Sequence, residues 1–326
     1  MKTEKHITSI GGQAILEGVM MRGPFKTAMA VRKPDGEIVC KVDENGTKKK
    51  NKFLSLPIVR GCVNFISSLV LGMKAIMFSA EFIDLEEEEE TESKFDKWLE
   101  EKFGDKIKDI VIYVAIALSL VMSVGLFILL PTAIAQGIQD LLKWLGFTEF
   151  ASSGSFLSTV EGIVKMIIFV SYMYLISRMK EIRRVFEYHG AEHKTIACYE
   201  AGEELTVENV KKYTRFHPRC GTSFLLIVMI VSIAIYALLP GFNQYGAIAR
   251  LLLRMGTRIL LLPVVAGLSY EVIKLAGRSN GCVRTLTKPG LWLQRLTTLE
   301  PDESQIEVAI ESMLAVIPED KESDKW

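Results

Sequence analysis

Apolar residues along the chain come in long blocks separated by charged connectors, the pattern of helices built to cross a bilayer. Residues 110–135 carry no charge and predict a first span. Residues 160–178 predict a second, with Lys165 placed where its stem can snorkel to the interface. Residues 221–240 predict a third and 246–270 a fourth, although the last contains Arg250, Arg254 and Arg258. Residues 54–85 are also apolar but are interrupted by Arg60, Lys74 and Glu81. Their uncharged core, 61–73, is too short to span and predicts an interfacial or re-entrant helix.

The remaining segments are polar. In residues 1–53, two alternating runs flank Pro34-Asp35-Gly36 and predict a β-hairpin, with a basic loop over 46–52. The glutamates Glu86 to Glu90 sit in a linker, 86–109, and read as a solvated run. In residues 271–326, Pro301-Asp302-Glu303 starts a helix whose apolar stripe is Ile306, Ala309, Ile310, Met313, Leu314 and Ile317. The expected fold is an α-helical integral membrane protein. It has about four transmembrane helices, one interfacial or re-entrant helix, and a small cytosolic α+β part. The N-terminal segment, the middle loop 179–220 and the C-terminal segment form that part.

Charge sets the orientation. Nine Lys and Arg residues fall between Arg178 and Arg219, while the connections 136–159 and 240–249 hold only Lys143. Positive-inside bias places the middle loop in the cytoplasm, with both termini on that side. A net charge of zero gives no support for nucleic-acid binding. Five scattered cysteines, an odd number, argue for a reducing compartment over a disulfide framework. Residues 1–21 lack the apolar core of a cleaved signal.

The candidate chemistry is concentrated in the middle loop. Three of the four histidines lie there, in Glu187-Tyr188-His189-Gly190-Ala191-Glu192-His193-Lys194 and Phe216-His217-Pro218-Arg219-Cys220-Gly221. On a helix, His189 and His193 stand one turn apart on one face. His-x-x-Glu-His is the inverted zinc-hydrolase pattern, with Glu192 as the candidate general base. His217 and Cys220 have the spacing of a zinc-knuckle pair and are candidate further ligands. The cofactor expected is a divalent metal, zinc first among borderline ions. Four protein ligands would make the site structural, and three plus water would make it catalytic. The plainer reading has these histidines bonded to headgroups or backbone. Cys198, off the histidine face, reads as a core cysteine.

Two further features carry charge into apolar surroundings. Arg250, Arg254 and Arg258 recur every four residues and form one stripe. Arg250 and Arg254 read as residues of the outer interface, while Arg258 lies deeper and is a candidate contact for an anionic substrate. In Gly11-Gly12-Gln13-Ala14-Ile15-Leu16-Glu17-Gly18-Val19-Met20-Met21-Arg22-Gly23-Pro24, four glycines allow close backbone approach. Glu17 and Arg22 are the candidate substrate-binding residues of that string.

This string, the two histidine strings and Thr297-Thr298-Leu299-Glu300-Pro301-Asp302-Glu303-Ser304-Gln305-Ile306-Glu307-Val308-Ala309-Ile310 together resemble the YqhQ-like bacterial membrane proteins, a domain of unknown function. The resemblance implies a multi-pass protein labelled, by inference, a metal-dependent enzyme. It puts His189, Glu192, His193, His217 and Cys220 in the suspected site and brings no substrate. The first expectation is a metal-dependent hydrolase at the cytosolic membrane surface, acting on a lipid-linked or membrane-embedded substrate. The alternative is a non-enzymatic scaffold or regulator with a structural metal. A transporter would use the arginine stripe, but no repeat of spans supports one. Expected partners are membrane lipid, an anionic lipid-linked substrate and a second copy of the chain.

Overall fold

The computed structural model describes residues 6–46, 56, 58–82, 114, 117–242, 244–278 and 288–325. The linker 86–109, the start of the first expected span, most of the basic loop and Cys282 lie outside the described residues. The chain divides into two units. One comprises Met1–Ile83, Tyr172–Ser232 and Met255–Trp326, and the other Asp84–Ser171 and Ile233–Arg254.

In the first unit, short alternating runs form β1 (Gly11–Ile15), β2 (Gly18–Arg22), β3 (Lys26–Arg32) and β4 (Ile38–Glu44). They make one antiparallel meander in that order, so β1 is an edge strand. Leu16 and Glu17 close the first hairpin, with Ile15 opposite Gly18 and Glu17 at φ 49°. The hairpin read around Pro34-Asp35-Gly36 is present, with Gly36 at φ 90°.

Period-two alternation sends apolar side chains to both faces of the sheet. Val19, Met21, Ala28 and Ala30 pack with residues of two helices that follow in the chain, Lys180–Glu200 and Glu303–Leu314. Ile15, Met20, Met29 and Val31 pack on Ala75 and Phe78 of helix α1, Val59–Ala80. A meander this small is marginal alone, and the helices on its two faces supply the missing burial.

Helix α1 runs 22 residues, through Lys74. The uncharged core 61–73 therefore understates it, and by length and composition the helix could cross a membrane. Ile66, Leu69, Val70, Met73, Ile76 and Met77 stand exposed along one side, while Gly61, Gly72, Ala75 and Phe78 are buried on the other. The N-terminal end of α1 crosses tightly on a later helix. Gly61 meets Gly267, and Arg60 pairs with Glu271 at 2.5 Å.

Among the described residues, three further helices are long and apolar enough to cross a membrane. Helix α2, Ala117–Trp144, extends past the expected end at residue 135. It carries a π-helical turn, Gly125–Leu129, just before Pro131. Proline lacks the N–H that an α-helical ladder needs, and a local change of register absorbs the defect. Helix α3 is Gly154–Ile176, α4 is Lys180–Glu200, α5 is Val207–Lys211 and α6 is Gly221–Ala237. Helix α7 is Ala247–Arg278, α8 is Lys288–Thr297 and α9 is Glu303–Leu314. At 17 residues, α6 is shorter than the expected span 221–240.

Helix α9 starts at an Asp302–Gln305 capping box, which fixes its first turn. Ile306, Ala309 and Met313 are buried as the stripe requires. Val308 is buried with them, and Leu314 is exposed.

Within the second unit, Arg254 of the arginine stripe is buried, and its guanidinium donates to Glu161 of α3 at 2.7 Å. Thr132 of α2 donates to the same carboxylate at 3.1 Å. The spacing of the stripe does not reveal this acidic partner.

Candidate metal centre

Helix α4 presents His189, Glu192 and His193 on one face. Gly190 stands between them because the chain segment after α8 crosses the helix there. A Cβ at Gly190 would lie 1.9 Å from the Leu299 carbonyl oxygen. That crossing is held by Leu299 N–H donating to Phe186 O at 2.8 Å. It brings the Thr297 carbonyl to His189 Nδ1 at 2.8 Å. The Arg215 carbonyl does the same for His193 Nδ1 at 2.5 Å. Both rings therefore donate through Nδ1 and leave Nε2 as the ligand atom once its proton is lost, the tautomer a metal ligand requires.

Cys220, at the start of α6, meets these rings. Its Sγ lies 3.2 Å from His189 Nε2. The donor atoms of His189, His193 and Cys220 all fall within 4.8 Å of one another, so the three form a group that could hold a metal ion. Ligands on a tetrahedral zinc are spaced by about 3.5 Å, close to the 3.2 Å between His189 Nε2 and Cys220 Sγ. Two imidazoles and a thiolate suit zinc or another borderline ion. Burial would raise the Cys220 thiol, but the imidazoles of His189 and His193 outweigh it and hold it well below the ordinary range. Burial works against a charged His189, but the Cys220 thiolate and Glu192 prevail and raise it to about 9.

Glu192 reaches the same space. Its Oε1 accepts from Gly12 N–H at 3.1 Å, and its Oε2 lies 3.8 Å from His189 Nε2. Burial pushes its carboxyl up, partly offset by His193 and His189. Gly12 is needed for this approach, since a Cβ there would lie 2.9 Å from Glu192 Cγ and 2.7 Å from the Met20 carbonyl.

His217 is buried close by, with its ring 5.6 Å from that of His193. It does not join the three-residue group. Its Nε2 turns toward Glu200 Oε2, 3.9 Å away, and Gln294 holds its backbone at both N–H and C=O. Burial keeps His217 below its ordinary value, against the pull of Glu200. Glu200 also pairs with Arg219 and accepts from Thr8 N–H at 3.1 Å. Burial would raise Glu200, but His217 and Arg219 lower it.

A cavity of about 420 Å³ opens on the group, lined by His189, Glu192, His193 and Cys220 together with residues 9–13. Arg22 lines it too, as do Asn64, Ser68 and Leu71 of α1 and Tyr270 of α7. Glu17 does not. It is held by Arg184, with Nη2 to Oε2 at 2.6 Å, and Tyr188 donates to it at 3.3 Å. Arg258 is half-buried on α7 and is not among the residues lining the cavity. Glu17 and Arg258 thus stand outside this cavity. Cys198 sits in the core, where burial, reinforced by Glu203, pushes its thiol up to about 11.

Sequence reasoning missed Gln294, Glu200 and the carbonyls of Thr297 and Arg215. Only Gly190, a glycine inside a helical run, signalled that another segment passes closely.

No solved structure matches the chain. The chain is 36% identical over 319 residues to "Uncharacterized protein YqhQ" of Bacillus subtilis (strain 168), covering 96% of this chain and 93% of that protein. Residues 56–319 match the family described as "Protein of unknown function (DUF1385)". The chain belongs to that family.

Proposed function

We propose that the protein is a metal-dependent hydrolase working at the cytosolic surface of the bacterial membrane on a membrane-embedded or lipid-linked substrate. The observation that carries this is the three-donor group beside Glu192 in an open cavity. His189 Nε2, His193 Nε2 and Cys220 Sγ would hold the ion, leaving the cavity side for water and substrate. A bound divalent ion acidifies water and polarises a carbonyl or phosphoryl oxygen. Glu192 accepts the water proton and returns it to the leaving group, a role suited to a carboxyl raised by burial. The carbonyls of Thr297 and Arg215 keep both rings in the ligating tautomer.

Chain parity supports the surface location. The N-terminal sheet, α4 and α9 share one core, so they lie on one side of any membrane. Between the sheet and α4 come α1, α2 and α3, and an even number of these can cross. Helix α1 is the one that returns. Its Ala75 and Phe78 pack on the sheet, its Gly61 meets Gly267, and its exposed apolar stripe suits a helix lying in the interface. Helices α6 and α7 form the second crossing pair.

The test is metal analysis of purified protein beside His193→Ala and Cys220→Ser, with complementation by Glu192→Gln. The expected result is about one divalent ion per chain, lost in the two ligand variants and kept in the Gln variant. The Gln variant should fail to complement. A Gln variant that complements fully assigns the metal a structural, scaffold role. Unchanged metal content in both ligand variants would sink the centre itself.

A further inference from the structure

Helix α8 divides its side chains between two opposite faces. At about 100° per residue, Gly290, Leu293, Gln294 and Thr297 fall on one side, and all four are buried. This inner face supports the metal-ligating group. Gln294 Nε2 donates to the His217 carbonyl at 2.7 Å and to Ser223 Oγ at 3.1 Å. The Thr297 carbonyl meets His189 Nδ1 at 2.8 Å. Gly290 lets α8 close on the first turn of α6. A Cβ there would lie 2.5 Å from Ser223 Oγ and 2.9 Å from Ser223 Cα.

The opposite side carries Lys288, Trp292 and Arg295 on successive turns, all exposed. Trp292 is 55% exposed, and half-buried Leu291 and Leu296 flank the stripe. The helix contains no Asp or Glu, so its two cations go uncompensated within it. An indole set between two cations suits a phospholipid headgroup layer. Its ring takes the boundary between apolar and polar zones, and Lys and Arg meet phosphates. The position of α8 agrees. Helix α6 carries no charged residue and starts at Gly221, where it leaves the site. The Gly290–Ser223 contact therefore fixes α8 beside the inner end of a helix read above as crossing the membrane.

We infer that α8 is an anchoring helix on the inner leaflet, with Trp292 at headgroup depth and Lys288 and Arg295 on anionic phospholipid headgroups. The inference rests on the crossing of α6 and α7 proposed above, and it needs neither metal nor hydrolysis. A helix with its side chains is about 10 Å across. His189, held on the inner face of α8, thus stands about that far from the lipid contacts on the outer face. Cys220 immediately precedes α6, which sets the same depth. The bond that the proposed hydrolase attacks is therefore met at the headgroup layer, outside the acyl core.

The test places the full chain in nanodiscs of equal parts phosphatidylcholine and phosphatidylglycerol, with one of the two lipids brominated high on its acyl chains. Bromine quenches indole fluorescence at short range, and the share of Trp292 is the difference between the parent and Trp292→Phe. Brominated phosphatidylglycerol should quench that share more than brominated phosphatidylcholine does, through a local enrichment of about fivefold per cation. Lys288→Gln combined with Arg295→Gln should remove the preference. That variant keeps Trp292, so its comparison with the parent stands even if Trp292→Phe does not fold. A Trp292 that neither lipid reaches, equal quenching by both, or a preference that survives the Gln substitutions overturns the inference. Metal content is measured on the same discs. Lipid preference on metal-free protein would keep the anchor and remove the metalloenzyme reading, and metal-loaded protein without the preference would do the reverse. A reporter fused after Phe242 reads the crossing separately, so a failed anchor and a failed span are told apart.

Discussion

Gly190→Ala separates the architecture of the centre from simple helix propensity, because the two predict opposite signs. In a solvated helix interior, alanine would stabilise by about 1 kcal/mol over glycine. Here the added methyl would stand 1.9 Å from the Leu299 carbonyl oxygen, where at least 3.0 Å is needed. The crossing segment must retreat by about 1 Å. Two hydrogen bonds stretch with it, Leu299 N–H to Phe186 O and His189 Nδ1 to Thr297 O, each 2.8 Å. Losing them costs about 1 kcal/mol each, and overpacking adds about 1–3 kcal/mol. Less the propensity gain, the net is roughly 2–4 kcal/mol of destabilisation. For a unit of this size that is a fall of roughly 5–15 °C in melting temperature. The assay is thermal unfolding in detergent, with and without added zinc, beside metal analysis. The stabilising increment from zinc should shrink, because His189 has lost the carbonyl that fixes its tautomer. An unchanged or higher melting temperature with full metal content would refute the close crossing and its role in orienting His189.

Four other expectations follow from the charges. In metal-free protein, His189 is raised from 6.5 to about 9, so its contribution is complete below pH 6.5 and is lost as pH rises through about 9. Cys220 is depressed, so its contribution is complete above 9.0 and is lost as pH falls through its lowered value. Stability without metal should therefore be greatest between those limits. Zinc affinity should climb by about tenfold per pH unit up to about pH 9, as one imidazolium proton is displaced. A pH-independent affinity over pH 6–8 by competition titration would contradict this. Glu161→Ala should destabilise by about 3–5 kcal/mol by stranding the Arg254 charge, and Arg254→Leu added to it should recover much of the loss. Additive losses in a membrane-abundance assay would show that the pair is not coupled. Finally, a reporter fused after Arg184 should be cytoplasmic and one after Phe242 external. Both on one side would break the parity argument.

What could be read from the sequence was what local periodicity encodes. The His189–His193 face follows from helical spacing alone, the Pro34-Asp35-Gly36 hairpin from turn chemistry, and the Asp302 helix start from its cap. What could not be read was long-range. His217 and Cys220 share a turn and look equivalent as ligands. Yet Cys220 meets His189, while Glu200 and Gln294, from elements distant in sequence, draw His217 aside. The partner of Arg254 was illegible for the same reason. Spacing puts Arg250, Arg254 and Arg258 on one face, but depth depends on partners, and Glu161 lies on another helix. The N-terminal glycines were legible only as a class. Gly12 is required by its approach to Glu192 and Gly11 by nothing within reach. That contrast is itself informative. The two glycines separate the close approach from ordinary strand propensity. Gly12→Ala sets a methyl 2.9 Å from Glu192 Cγ and 2.7 Å from the Met20 carbonyl oxygen, so it should lower the melting temperature and disturb the bond from Gly12 N–H to Glu192. Gly11→Ala meets nothing within 4 Å and should leave the melting temperature unchanged or higher. Equal melting temperatures for the two variants would refute the close approach of β1 to Glu192.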